Sequence, residues 1–386
     1  MNPEGLLVIH LSPQTGVEIG STRPLSLPKI FRGKPPSEAI RMIGLLYPVC
    51  AKAQAVAAVE ACEQALAVKP NPSLCRAREM LVWMETAREQ LRSILAEWPR
   101  LMAMEFDPAR ASALGGLMPA VKKSLFGASD PFSPKVLIHP PGQGLGQVIE
   151  GLDAVLERLV FGEPPSVWLK RLDDEGLDDW VQQRGTLGAV CLNEIQRRGW
   201  GRVGDLSPRH LPELTEAGLH ARLAGPAADA YICQPDWDGI PRETTGLTRV
   251  RHLAPMPTLL KTWGNGLFSR LAARLVELAA IPARLRHMAK GLEPGPIRLD
   301  PRAETGVGLA QIEAARGRLI HRVEIQDGRI ADYRILAPTE WNFHPKGVVA
   351  EMLLSLPPGK PEQRRRQAEW LVQAVDPCVG YELRIE

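Results

Sequence analysis

The stretch that decides the fold is Glu313–Lys346, EAARGRLIHRVEIQDGRIADYRILAPTEWNFHPK. Two β-prone runs, Arg318–Gln326 and Arg329–Ile335, flank Asp327-Gly328. That dipeptide suits a two-residue type I′ turn, in which both central positions need positive φ. A hairpin there brings Ala314-Ala315-Arg316-Gly317 back beside Ala337-Pro338-Thr339. One end then offers a guanidinium with five donors and the other a hydroxyl, among small and apolar neighbours. On residue types alone this is a hairpin with polar ends.

The wording of the stretch adds more. A small-small-Arg-Gly turn, then H-x-x-x-I-x-D-G-x-I-x-x-Y, then P-T-x-W-N-x-x-P resembles the large subunit of nickel-iron hydrogenases. That family reads A-P-R-G, the same hairpin, and P-[ST]-T-W-N. The resemblance implies that Arg316 and Thr339 hydrogen-bond the cyanides of an Fe(CN)2(CO) group, with Ala337 and Pro338 beside its carbonyl. Ala315 departs from the family proline, and Glu340 from the second Ser/Thr.

Two further segments carry the resemblance. Tyr47-Pro48-Val49-Cys50, with Gln54 one helical turn beyond Cys50, matches R-x-C-G-x-C-x-x-x-H. The second cysteine survives as Cys50, while Tyr47 stands for the first and Gln54 for the histidine. At the other end, Asp376-Pro377-Cys378 matches D-P-C-x-x-C-x-x-H, with Tyr381 and Arg384 in place of the last two ligands. The family precursor carries a tail that an endopeptidase removes; here only Ile385 and Glu386 follow. Weaker echoes are Glu4-Gly5 against I-E-G-H, Phe31-Arg32-Gly33 against F-R-G, and Glu243 and Arg249 against E-x-G-P-L-A-R.

The losses have a chemical meaning. A nickel-iron site uses four thiolates, which suit nickel and low-spin iron; a phenol with pKa about 10 is a harder, mostly protonated donor. Each C-x-x-C has lost one thiolate, leaving Cys50 and Cys378 as the expected metal ligands. Two thiolates hold one iron and cannot cage two metals in the family's way, so the expected cargo is an Fe(CN)2(CO) unit without nickel. This combination resembles the HupK/HoxV group of hydrogenase accessory proteins. The resemblance implies a non-catalytic, cytoplasmic scaffold that receives the iron unit from a small maturation chaperone and passes it to the recipient hydrogenase large subunit. Two other readings stay open, namely a metal-free structural relative akin to a respiratory complex I subunit and a divergent catalytic hydrogenase.

Composition supports none of the competing classes. The 386 residues are 45% hydrophobic and 24% charged, with a net charge of +3, which is ordinary for a soluble globular chain. That charge is too thinly spread to argue for nucleic acid, and Arg364-Arg365-Arg366 is the one dense basic run. No run of about 18 apolar residues predicts a membrane span, and the first residues lack the order of a signal peptide or a twin-arginine signal. Six scattered cysteines suit a reducing compartment. The Gly142–Gln147 run lacks the βαβ setting of a dinucleotide site. His210, His220, Cys191 and Cys233 show no ligand spacing.

The expected fold is α+β and mainly α, like the hydrogenase large subunit, as a single domain over 1–386. Residues 1–105 hold the first motif and core helices, 106–240 a divergent helical middle, and 241–386 the hairpin and last motif. Helices are expected at Pro48–Val68 and Ser73–Met104, forming a central bundle with β-hairpins at its ends, and at Val148–Val160, Asp174–Arg198, Gly266–Lys290 and Pro361–Ala374. A hairpin is expected around Pro13–Gly16, and Ser129–Gln147 reads as loop.

Overall fold

A computed structural model describes residues 5–12, 14–105, 107–112, 114–140, 143–171, 176–183, 185–207 and 209–386. Glu4, Pro13, Gly142 and Asp174, on which readings above fall, lie outside them.

Strands β1 (Leu6–Ser12) and β2 (Gly16–Ser21) form the N-terminal hairpin. β3 (Lys135–Ile138), in a stretch read as loop, pairs antiparallel with β4 (Gly295–Arg298). β5 (Gly306–Ala314), β6 (Gly317–Gln326) and β7 (Arg329–Leu336) make a three-stranded antiparallel meander. Asp327 and Gly328 take positive φ values of 51° and 70°, as the type I′ turn requires. The segment read as a loop around Arg316 is itself a tight turn. Ala314 pairs with Gly317 across it, leaving Ala315 and Arg316 at the tip. β8 (Gly380–Ile385) returns from the far end of the chain to lie parallel to β1, giving the order β2-β1-β8.

Helix α1 (Pro36–Leu46) starts inside the proline-rich entry, where Pro36 fits a first helical position. A 3-10 turn, Pro48–Cys50, then leads into α2 (Ala51–Ala65). α2 stops short of Val68 because Ala67 turns to φ 52°. α3 (Pro72–Arg92) is capped by Asn71, whose side chain accepts from the Ser73 N–H at 2.7 Å. The helical course continues through a π turn at Ser93–Glu97 to Leu101; such a widening accommodates the amide that Pro99 lacks.

The expected central bundle is corrected in its membership. The fully wrapped helix is Leu267–Ala289, buried on nearly every face and packed against α3, Leu187–Arg197 and Pro361–Val375. The alanine-rich α2 packs chiefly on β5 and β6. Its small side chains permit that approach: a Cβ on Gly308 of β5 would stand 1.8 Å from the Ala61 carbonyl oxygen. The expected Asp174–Arg198 helix is two, Gly176–Gln183 and Leu187–Arg197. The glycine run opens the Gln143–Leu156 helix, but β3 before it has only an antiparallel partner, so no βαβ unit forms. Among the described residues no single helix is long and apolar enough to cross a membrane.

Three apolar cores result among the described residues. One is built on the helices around Leu267–Ala289, a second lies between α1, α2 and the meander, and a third gathers Leu219, Leu223 and Trp237 against Ile320 and Trp341. Cys378 packs on the first and Cys50 on the second. The candidate site lies where they adjoin.

Candidate functional site

Cys50 and Cys378, 328 positions apart in the chain, line one pocket with Tyr47, Gln54, Arg316, Ala337, Pro338 and Glu340. The pocket offers about 60 Å3 to water-sized occupants, room for roughly four waters or one compact polyatomic group.

Local sequence explains each placement. Cys50 is the residue that precedes α2, whose first amides, from Lys52 and Ala53, are taken by Glu85 of α3 at 2.8 and 2.9 Å. This fixes the helix start and hence the sulfur. Cys378 follows Asp376, which ends the Pro361–Val375 helix at φ 60°. The Asp376 carboxylate lies 3.4 Å from Arg274 and 3.3 Å from Arg316 Nε. Arg316 is held at its tip by what surrounds it. Gly317 has φ 130°, and a Cβ there would lie 1.6 Å from the Thr244 carbonyl oxygen, so only glycine permits the contact. Asn342 ties the two loops, since its Nδ2 donates to the Arg316 carbonyl at 3.1 Å and its Oδ1 accepts from the Thr244 N–H at 2.8 Å. Glu243 and Arg249, matched above to one motif, do separate structural work. Glu243 forms a buried pair with Arg270 at 2.6 Å, and Arg249 donates to the Ala315 carbonyl at 3.0 Å.

The electrostatics are those of thiols facing a buried cation. Arg316 is 5% exposed and contacts Glu89 at 3.3 and 3.4 Å. Its Nε is close to Asp376 but lacks a well-aligned hydrogen bond. Burial works against the cation, yet the charges of Asp376, Glu89, Cys378 and Cys50 outweigh it and hold Arg316 above its ordinary pKa. Burial pushes the Cys50 thiol up to about 12, the charges of Cys378 and Glu85 add to this, and Arg316 and a contact from Gln54 oppose it. Without a cation between the thiols, Cys50 keeps its proton.

Gln54 connects Cys50 to the interior. Its Nε2 lies 3.7 Å from the sulfur and its Oε1 2.9 Å from His321 Nε2, while His321 Nδ1 lies 2.8 Å from the Tyr333 hydroxyl. Burial lowers His321 to about 3, so the imidazole is neutral. The His and Tyr of the hairpin motif thus face inward as a support for residue 54.

The positions of the lost ligands differ. Tyr47 lines the pocket, its phenol pushed up to about 12 by burial. Tyr381 is drawn into β8 opposite Leu7 and lines a polar cleft with Arg100 and Arg365 that meets the pocket at Cys378. Arg384 sits on the exposed edge of that strand beside Glu382. Thr339 is buried between the wall residues Pro338 and Glu340, and its hydroxyl meets the Cys378 sulfur at 2.8 Å. Among the described residues no group of three or more His, Cys, Asp or Glu is placed to hold a metal ion. His210 bonds Thr248 instead, and Cys191 is buried in the helical core.

Sequence reasoning missed one pocket residue outright. Arg23 lies between β2 and the Leu27–Phe31 turn and donates from Nη1 to Glu340 at 2.6 Å. The one available signal was Glu340 itself, a carboxylate among apolar neighbours that required a cation.

Comparison with known proteins accords with this geometry. The family described as Nickel-dependent hydrogenase matches residues 265–380, from the start of the central helix to just past Cys378 and short of Tyr381. The hydrogenase expression/formation protein HoxV of Cupriavidus necator is 31% identical, over 94% of this chain and 91% of its own. The chain belongs to the HoxV/HupK family of hydrogenase expression/formation proteins. HupK of Bradyrhizobium diazoefficiens is 30% identical over 98% of this chain and 95% of its own. Among solved structures, the Ni-Fe-Se hydrogenase of Desulfovibrio vulgaris Hildenborough in its oxidised state covers 94% of this chain and 92% of its own, with a TM-score of 0.65 at 16% identity. That likeness places the fold with hydrogenase large subunits, as HoxV/HupK relatives are expected to be.

Proposed function

We propose that the pocket is a holding site for an Fe(CN)2(CO) unit in transit to a nickel-iron hydrogenase large subunit. The observation that supports this best is the meeting of Cys50 and Cys378 in one pocket, with the charge of buried Arg316 acting on both. The pair supplies two soft donors, the number that suits one iron and not a two-metal cage. An iron(II) between the sulfurs would displace their protons, which offsets the burial that keeps Cys50 neutral. The guanidinium supplies N–H donors to cyanide, and Ala337 and Pro338 offer an apolar wall to carbonyl. On departure to a site with four thiolates, both Fe–S bonds break and the sulfurs recover protons. Only the two Fe–S bonds to the cargo form and break, and no bond within it changes, so the role is that of a scaffold rather than a hydrogenase. The partners in this reading are a small chaperone that delivers the unit and the large subunit that receives it.

Iron and nickel content with an infrared spectrum tests this on protein produced anaerobically alongside the maturation machinery. Iron without nickel, with cyanide and carbonyl stretches, is expected. No metal at all would support the purely structural reading, and nickel together with iron the enzymatic one.

A further inference from the structure

We propose that Arg23 is a second recognition residue for the cyanide ligands of the cargo, held in position by Glu340. This rests on the reading of the pocket as an iron-cargo site. Arg23, Pro24, Leu25 and Pro28 lie along the pocket that contains both thiols. The Arg23 and Glu340 side chains are only 10% and 6% exposed. Glu340 is itself fixed, because its other oxygen accepts the Ala337 N–H at 3.1 Å.

A single Nη1 contact leaves the rest of the Arg23 fork without a protein acceptor among the described residues. A guanidinium carries five N–H donors, so a side chain that lines the pocket keeps donors beyond those spent on Glu340. Charge leads to the same place. Iron(II), two cyanides and two thiolates together carry a net charge of about −2, counting +2, −2 and −2. Arg316 is already shared by Glu89 and Asp376 and offers little uncompensated charge. Arg23 has one carboxylate partner and stands within electrostatic reach of Cys378, Cys50 and Tyr47. Cyanide nitrogen accepts N–H donors well and carbonyl oxygen accepts them poorly, so an arginine here selects the cyanide end. Where the hydrogenase motif has a second Ser/Thr, this chain has the carboxylate that anchors the arginine.

The test compares the parent with Arg23→Leu and Arg23→Lys, each made anaerobically with the maturation machinery, by iron per chain and infrared spectrum. In Arg23→Leu, retention of the iron unit through gel filtration should fall roughly tenfold to a hundredfold, the loss of one charge-assisted bond. Arg23→Lys keeps a cation on Glu340 and should melt like the parent, yet its cyanide stretches should shift more than its carbonyl stretch. Arg23→Lys therefore decides the matter if Arg23→Leu does not fold. A loaded parent whose Arg23→Lys variant shows unchanged bands and iron overturns the role of Arg23 and leaves the cargo reading standing. A parent that carries no diatomic bands overturns the cargo reading, and the inference with it.

Discussion

The Thr339 hydroxyl oxygen lies 2.8 Å from the Cys378 sulfur, so a side chain expected to contact a cargo ligand contacts the thiol proposed to hold the iron instead. A hydroxyl has one proton to donate. If it points to sulfur, it is not available to cyanide. Thr339→Val should therefore leave loading within about tenfold of the parent, since a neutral hydrogen bond contributes roughly 0.5–1.5 kcal/mol. Iron per chain after gel filtration measures this. A complete loss of iron would show that the hydroxyl does more than support the thiol.

Cys50→Ala and Cys378→Ala should each abolish iron and the diatomic bands while circular dichroism stays that of the parent. Neither thiol fills the centre of a core, both being half-buried. One sulfur alone is a poor anchor for a unit that must survive transfer. If both variants load iron and support hydrogenase maturation as the parent does, the site has been put in the wrong place.

Arg316→Leu should be as damaging to loading as a cysteine change, but it carries a stability cost that must be separated. It leaves Glu89 and Asp376 buried without this guanidinium, and breaking a buried pair typically costs about 3–5 kcal/mol. Arg316→Lys restores charge without the planar fork. A lysine variant that melts near the parent yet loads poorly would identify the guanidinium as a recognition group. Normal loading by that variant would reduce Arg316 to a source of charge.

Stability should fall as pH rises from about 4.5 to about 7. Burial pushes the Glu85 carboxyl from 4.5 up to about 7, its bonds from the Lys52 and Ala53 amides and the charge of Arg88 opposing, and the charge of Glu89 adding. In that window the folded chain keeps a proton that the unfolded chain has released, so folding is favoured at the acid end and the advantage is lost toward pH 7. The full shift corresponds to about 3 kcal/mol. Glu85→Gln is neutral throughout and should flatten this part of the profile. Paired thermal melts at pH 5, 6, 7 and 8 measure it, and parallel curves for the two proteins would contradict the assignment.

Gly317→Ala should destabilise the protein by roughly 2–5 kcal/mol, from a φ unfavourable to alanine together with a collision on the Thr244 carbonyl. Asn342→Ala should cost roughly 1–3 kcal/mol for each of the two backbone groups it leaves unpaired, Thr244 N–H and Arg316 C=O. Urea titration reads both. Losses below about 1 kcal/mol would mean that the turn carrying Arg316 is less constrained than its contacts imply.

Much of this was legible where chemistry is local. Asp327-Gly328 specifies its turn through φ alone, and the P-T-x-W-N run brings its own tie in Asn342. Residue types at Cys50 and Cys378 disclosed a halved thiolate set, and the fold brings the two into one pocket. What escaped was long-range. Arg23 meets Glu340 across 317 positions, and no period or spacing marks such a pair. The sheet partner of α2 was hidden because an alanine-rich helix reads the same whether it packs on helices or strands. At the C-terminus, motif matching drew attention to Tyr381 and Arg384 as replaced ligands. The strand signal there is the alternation of Tyr381, Leu383 and Ile385 with Glu382 and Arg384.

The parallel pairing of β8 with β1 bears on how anything held at Cys378 changes hands. Six residue pairs, from Leu6 with Gly380 to Leu11 with Ile385, seat the segment that begins two positions after that sulfur. A thiol on such a seam cannot swing out like a carrier arm without first unzipping an edge of the N-terminal sheet. In the proposed transfer, collection would then happen in place, with the acceptor's own sulfurs coming to the pocket mouth. On that reading the protein would serve as a dock and not a courier.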